Sequence, residues 1–400
     1  MPKPKNKINN KLILKKPNNE IKKSTNSVKI FGFASLLNDL GANLIYPIWP
    51  LFLTTVLGAN MSILGLVDGL GDALVSLSQA ASGYASDRLK KRKIFIWLGY
   101  FFGSISRLGY AVTTTWQMII PFRILDRSGK IRDSPRDAII ADESNRTNRG
   151  KNFGIIKGMD KFGGVLGIIL CIGVVNLIGY QTLFLLAAIP SLISVALVIY
   201  FIKEKNKPET KLYQGIKISK LSKNYKIFLI LSSIFALGSF SYSFLMVFAN
   251  KAGYEITFIP IFYLLYVLFA AAFSLPFGKL SDKIGRKNGM YIALILWALA
   301  CITFIFINTW WAIPLTFIIY GLHEAALAPI QSTFVSELAP KKFKASALGG
   351  FQMCIGLCAL PASLIAGILW DTMGKTTPFI LSLFLTLIAI IILHFVKETK

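Results

Sequence analysis

The chain has 400 residues, of which 54% are hydrophobic and only 16% charged, with a mean hydropathy of +0.58. A soluble protein of this length would divide into domains with charged surfaces, but here the apolar residues run in long blocks such as 94–122, 226–249, 288–307 and 376–396. The net charge of +25 does not read as a nucleic-acid footprint, because the bases gather in short connections between apolar blocks without an aromatic-interleaved platform.

Residues 1–28 form a polar segment, with nine lysines in 1–29 and a single acid, Glu20. This composition suits a disordered tail held at an anionic cytoplasmic surface. No signal peptide is expected there, because the apolar stretch that follows is too long and contains Asp39.

About 20 apolar residues span a hydrocarbon core of roughly 30 Å. On that measure twelve transmembrane helices are expected, at 29–56, 62–86, 94–113, 117–142, 152–175, 181–202, 226–249, 257–280, 288–307, 311–336, 345–369 and 376–397. Their connections alternate in charge. The tail, 88–93, 145–151, 203–226, 282–287, 341–344 and the C-terminus are basic, whereas the six intervening turns hold only Lys251 and Lys375. By the positive-inside rule both termini are cytoplasmic. The long connection 203–225 splits the chain into an N-terminal bundle (29–202) and a C-terminal bundle (226–400), an all-α polytopic membrane protein of two six-helix halves.

Taken in order, the helices carry unequal polar chemistry. Ionisable groups inside a span are costly and mark pathways. The first helix holds Asp39, about ten residues or roughly 15 Å from the interface. It also holds Pro47 and Pro50, which permit a kink. The second carries Asp68 and Asp72 at four-residue spacing, hence on one face. The third has Arg107.

The fourth contains Arg123–Glu143, with five bases and five acids. On a helical wheel Arg123, Asp126, Arg127, Lys130, Asp133 and Asp137 fall within about 120° of one another. That stripe can line a cavity. Arg132 and Arg136 fall opposite, toward headgroups or the neighbouring bundle, and Pro135 is expected to kink the helix after Ser134.

The fifth helix carries Lys157, Asp160 and Lys161, and the tenth His323 and Glu324. The second half otherwise offers aromatic and amide groups: Tyr242, Tyr263, Tyr266, Gln331 and Gln352. Proton coupling needs a carboxyl that is both charged and neutral within a cycle. Asp39 and Asp126 are the first candidates and Glu324 the next. For Asp39 and Asp126 the alternative is a permanently paired structural ion bridge.

No metal site is expected. The two histidines are single and distant, and the four cysteines (Cys171, Cys301, Cys354, Cys358) lie in apolar runs where small residues pack between helices. There is no P-loop, no H-E-x-x-H and no G-x-S-x-G with a triad, so neither an enzyme nor a cofactor is expected, and transport energy must come from a gradient.

The two halves repeat. GYASDRLKKRK from Gly83 and GKLSDKIGRK from Gly278 each read Gly, three residues, Asp, then a basic cluster, at the same place in each half. With this repeat the chain resembles the major facilitator superfamily. The family's inter-helix motif is matched by Gly83, Asp87, Arg88, Lys91 and Arg92, with Lys90 where a Gly is usual. It is matched in full by Gly278, Asp282, Lys283, Gly285, Arg286 and Lys287. Arg123 matches the family's fourth-helix Arg. Gly163 and Gly167 resemble the Gly-rich fifth-helix motif of drug/proton antiporters, with Ile168 in place of Pro.

The resemblance implies alternating access between two rocking bundles, with the paired motifs as a cytoplasmic latch. The expected function is secondary transport of a small polar or anionic solute, proton-coupled, by a monomer in the plasma membrane. The Arg123, Arg127 and Lys130 cluster favours an organic anion. The alternatives are a proton-coupled exporter of drugs or amphipathic compounds, and a non-transporting receptor or assembly partner.

Overall fold

The computed structural model describes residues 18–144, 148–204, 221–306, 309–340 and 344–398, with the side chains of 18–26 and 344–346 outside the description. Every regular element among the described residues is helical. They are α1 (Asn18–Ile45), α2 (Met61–Leu89), α3 (Lys93–Ala111), α4 (Trp116–Ser128), α5 (Asp133–Glu143), α6 (Arg149–Phe201), α7 (Lys223–Gly238), α8 (Ser243–Lys251), α9 (Ile259–Ile284), α10 (Arg286–Phe306), α11 (Ala312–Leu338), α12 (Lys344–Met373) and α13 (Thr377–His394). A single turn, Trp49–Leu51, and a π-helical turn, Phe52–Val56, follow α1. Among the described residues, nine helical stretches are long and apolar enough to cross a membrane, with α7 and α8 counting together as one, Lys223–Lys251.

Several expected helices differ in detail. α1 begins at Asn18, ahead of the expected start at 29, because Asn18–Val28 holds no Pro or Gly to stop it. The first helix breaks after Ile45, at Tyr46–Ile48, where Pro47 cannot continue the ladder. The seventh breaks at Ser239–Tyr242 in a Gly/Ser-rich stretch, where hydroxyls compete with the helical pattern. The fifth and sixth form one helical run broken at Gly179, whose φ of 73° and ψ of 174° are non-helical. The expected linker lies largely outside the described residues.

The fourth helix is the largest departure. It bends at a 3₁₀ turn, Gly129–Arg132, and not at Pro135, which sits in the first turn of α5 where its missing N–H costs nothing. A Cβ on Gly129 would stand 2.7 Å from the Gly99 carbonyl oxygen, so the turn lies backbone-to-backbone against α3.

Small residues set the other close approaches. α1 lies against α6 at Gly163, where an added Cβ would meet Leu36 Cα at 2.9 Å. α2 and α12 run antiparallel, one from each half. At Gly69 an added Cβ would reach Leu360 Cα at 2.7 Å, and Met61 meets Asp371.

The two halves build the same cage at the basic face. Arg92 bonds Asp87 at 2.7 Å and Asp142 at 2.5 Å. Arg286 bonds Asp282 at 2.5 Å and Glu337 at 3.1 Å. Glu204 accepts from the Arg92 and Lys93 amides at 2.9 and 2.8 Å, as Glu398 does from the Arg286 amide at 2.5 Å. Lys93 and Lys287 each donate at 2.6 Å to a carbonyl of the last helix of their half, Ile199 and His394. The first connection reaches this geometry with one residue more. The helix C-caps have positive φ, Gly285 at 92° and Lys90 at 55°. That explains the usual Gly at Lys90: a side chain there sits in the left-handed region at a cost.

The halves meet on one face and part on the other. Opposite the basic connections, Asp371 bonds the start of α2, and Asn176 donates to Thr257 at 3.3 Å. On the basic face, among the described residues, an added Cβ at Gly278, Gly349 or Gly350 would meet nothing within 4 Å, and one at Gly83 would meet only Ser134 of its own half.

Candidate functional site

A cavity of about 460 Å³ lies between the halves. From the N-terminal half it is lined by Tyr46, Asp68, Asp72, Arg123 and Arg127. From the C-terminal half come Phe235, Phe240, Tyr242, Tyr263, Tyr266, Tyr320, Glu324, Gln331 and Gln352. Four tyrosines there form a continuous wall: Tyr242–Tyr263 at 5.1 Å, Tyr263–Tyr266 at 5.6 Å and Tyr266–Tyr320 at 4.7 Å between ring centroids. Glu324 lies one helical turn beyond Tyr320, and Asp72 one turn beyond Asp68.

The closed end is organised by Asp68. Its carboxylate accepts from Arg123 Nη2 at 2.6 Å and from Trp49 Nε1 at 3.1 Å. From the other half it accepts from Ser241 Oγ at 2.8 Å and from Ser243 Oγ. The Arg123 guanidinium lies 4.4 Å from the centroid of the Trp49 ring, so one indole steadies both members of the ion pair. The two broken helices make this possible. The break after α1 turns Tyr46 and Trp49 inward, and the break between α7 and α8 presents the serine hydroxyls. A buried carboxylate with four donors is fully compensated.

A second, smaller cavity of about 80 Å³ lies within the N-terminal half. Asn38, Asp39, Asn43, Arg107, Asp126 and Lys130 line it, and Tyr46 and Arg127 line both cavities. Arg127 donates to the Tyr46 hydroxyl at 3.4 Å, stacks at 5.2 Å over that ring and stands 3.9 Å from Asp126. Arg107 is buried, and its guanidinium donates to the Ala187 and Asn38 carbonyls at 3.3 and 3.2 Å. Lys130 sits 3.8 Å from Asp133.

The structure thus divides the expected site residues. Asp68, Asp72, Arg123, Arg127 and Glu324 meet at the central cavity. Asp39, Arg107, Asp126 and Lys130 meet at the side cavity. Asp160 reaches neither: it lies 3.9 Å from both Arg136 and Lys157. Arg132 and Arg136, expected at headgroups or the other bundle, are 6% and 4% exposed. Arg136 donates to Ser35 Oγ at 2.7 Å and Asp137 at 3.1 Å, and Arg132 stacks 5.0 Å over Tyr100. The bend at Gly129 rotates the two ends of the fourth helix relative to each other, which a straight helical wheel cannot represent.

Each motif Asp is bonded within its own half. Arg88 is exposed, and Gly83 and Gly278 face no neighbour from the other half among the described residues. His323 is stacked among Phe235, Trp297 and Tyr320 and bonds the Ala293 carbonyl at 2.8 Å. No cluster of three or more potential metal ligands occurs among the described residues.

Trp49, Ser241, Ser243 and Tyr320 were not foreseen. A signal existed for the serines in GSFSYS, a polar interruption of an apolar block with the same place in its half as Tyr46-Pro47.

A helical membrane protein with a polar-and-aromatic cavity between two repeated halves, closed on one face and parted on the other, is a transporter by class. The model of the Major Facilitator Superfamily matches residues 31–270 and again 228–400, and the chain belongs to that superfamily. It is 38% identical over 391 residues to an uncharacterised MFS-type transporter of Methanocaldococcus jannaschii, covering 94% of this chain and 96% of that one. It is 25% identical over 381 residues to the quinolone resistance protein NorA of Staphylococcus aureus, covering 92% and 96%. Among solved structures it is similar to a bacterial homologue of the human lysosomal transporter Spinster in an inward-facing and occupied conformation. There the TM-score is 0.76 at 14% identity, covering 94% of this chain and 97% of that one. It is also similar to the nucleoside transporter NupG, with TM-score 0.75 at 17% identity, covering 93% and 100%.

Proposed function

We propose that this protein is a proton-coupled secondary transporter that exports amphipathic compounds carrying a positively charged amine. It works by alternating access between two six-helix bundles, with twelve crossings and both termini cytoplasmic in the cell membrane. The basic face is then cytoplasmic, and the conformation described is open to the cytoplasm.

One observation carries the substrate class. Asp72 and Glu324 face the same cavity from opposite halves, and neither makes an ion pair within 4 Å among the described residues. The remaining lining charges are Arg123, committed to Asp68, and Arg127, stacked on Tyr46. Lys130 faces the side cavity, so only two of the three bases that favoured an anion, Arg123 and Arg127, line the central one. Two carboxylates with no ion pair within 4 Å among the described residues, beside four tyrosines, suit an aromatic or apolar body with a cationic group. The same carboxylates can exchange that cation for a proton, which is what coupling requires. The likeness to a quinolone resistance protein supports export of such compounds.

The test is transport in proteoliposomes under an imposed proton gradient, with a fluorescent lipophilic cation, an organic anion and a neutral analogue. Gradient-driven movement of the cation alone is expected. Movement of the anion alone would favour the polar or anionic reading and overturn this one.

A further inference from the structure

We infer that Asp371 is the latch that holds the outer side shut, and that it sets the balance between inward-open and outward-open states. The inference rests on the alternating-access reading but not on the solute or the proton.

Asp371 belongs to α12 in the C-terminal half. Its Oδ1 accepts from the Met61 amide at 3.0 Å, and its Oδ2 from the Ser62 amide at 2.7 Å and Ser62 Oγ at 2.6 Å. Met61 and Ser62 open α2 in the N-terminal half. The first amides of a helix have no partner inside it. Here the load is divided: Asn60 Oδ1 accepts from the Ile63 amide at 2.9 Å, while Met61 and Ser62 depend on a carboxylate from the other half. A negative charge at a helix N-terminus also meets the positive end of the helix dipole. No other described side chain accepts from these two amides.

The contact is specific to one state. α2 and α12 run antiparallel, so each ends beside the other's start. Each carries an Asp in its last turn: Asp87 two residues before the end of α2 at Leu89, and Asp371 two before the end of α12 at Met373. In the present state Asp371 crosses the interface and Asp87 does not, being held by Arg92 at 2.7 Å. The first turn of α2 cannot keep its cap from the other half when the outer ends separate. Opening the outer side therefore uncaps α2, and closing it restores the cap. Asp371 therefore serves as a cap only while the outer end is closed.

The test uses full-length protein in lipid nanodiscs with Cys354→Ser and Cys358→Ser, and nitroxide labels at Val112→Cys and Phe306→Cys, exposed positions at the outer ends of α3 and α10. Pulsed electron–electron distance measurement then reads outer opening. Asp371→Asn and Asp371→Ala are expected to raise the outer-open to outer-closed ratio about tenfold, the weight of one helix cap. Asp371→Glu is expected to restore most of the wild-type distribution, and Ser62→Ala to give a smaller shift in the same direction. Should Asp371→Ala fail to fold, Asp371→Asn and Ser62→Ala carry the test. Unchanged distances in folded Asp371→Asn and Ser62→Ala would overturn the latch. Failure of cation transport would leave these distances untouched, so the two readings fail separately.

Discussion

Arg123 and Asp68 form a 2.6 Å ion pair at the closed end of the central cavity, with side chains 3% and 2% exposed. Both belong to the N-terminal half, yet Asp68 also accepts two hydroxyl hydrogen bonds from the C-terminal half. The pair therefore joins the charge balance of one bundle to its contact with the other. Removing one partner of a buried pair leaves an uncompensated charge, at a cost of about 3–5 kcal/mol.

Arg123→Ala should accordingly lower the melting temperature sharply, and Asp68→Asn less, because the amide oxygen can still accept from Trp49 while its NH2 donates to a serine hydroxyl. Combining Arg123→Met with Asp68→Asn should recover part of the loss, giving a coupling term in a double-mutant cycle. Thermal unfolding in detergent checks this. If Arg123→Ala melted as the wild type does, the pair would not be a structural joint.

Asp72→Asn and Glu324→Gln separate binding from coupling. Each removes a charge facing the cavity and not its shape. A hydrogen bond to a charged group contributes about 1.5–3 kcal/mol, so the Kd of a cationic solute should rise roughly 10- to 100-fold for the residue that contacts it. The residue that carries the proton should lose gradient-driven uptake but keep solute–solute exchange. Protonation neutralises both carboxylates, so cation binding should weaken as pH falls. Binding by tryptophan fluorescence across pH, with exchange and gradient assays side by side, reads all three. Equal binding at acid and neutral pH would count against the assignment.

The helical architecture was legible in the sequence because apolar block length and charge alternation are strong, local signals. The repeated Gly–Asp–basic motif marks the positions of Arg92 and Arg286 in each half, but their bonds within one half are not visible in the pattern, which suggests a latch between halves. The breaks were less legible. Pro135 looked like the kink of the fourth helix, but Gly129 made it, because a close backbone approach to Gly99 depends on a partner helix that one-dimensional pattern does not show. That displacement left Lys130 on the side cavity, off the central one, and turned Arg136 inward. Asp371 went unnoticed for a related reason: it lies at a helix end where an acid is ordinary, and its partner is 310 residues away.

Arg127 and Arg136 lie nine residues apart on the same expected helix but differ in role. Arg127→Ala should tighten binding of a cationic solute, since it removes a positive charge from the central cavity beside Tyr46, while perturbing the fold less than Arg136→Ala. Arg136→Ala should lower the melting temperature, because it takes the ion pair of Asp137 and one of those of Asp133 and Asp160, which keep Lys130, Arg132 and Lys157. Whatever Arg136→Ala protein remains folded should bind solute normally. Melting curves paired with binding isotherms test the division, and the reverse pattern would undo it.

Glycines on the two faces of the interface should bias the cycle in opposite directions. At Gly69 an added Cβ would meet Leu360 Cα at 2.7 Å in the present outer-closed state, so Gly69→Val penalises that state. At Gly278 no described atom lies within 4 Å of an added Cβ, so Gly278→Val makes no such conflict here. It should act only when the cytoplasmic ends close and another helix approaches. Gly69→Val is therefore expected to enrich outer-open distances, and Gly278→Val to deplete them. A packing conflict of this kind typically costs about 1–3 kcal/mol, or roughly 5- to 150-fold in the ratio of states. The same spin-label pair at Val112 and Phe306 reads both variants. Shifts in the same direction would mean that the motif glycine is not a close-approach point, leaving Asp282 and Arg286 as a cage with no latch beside it.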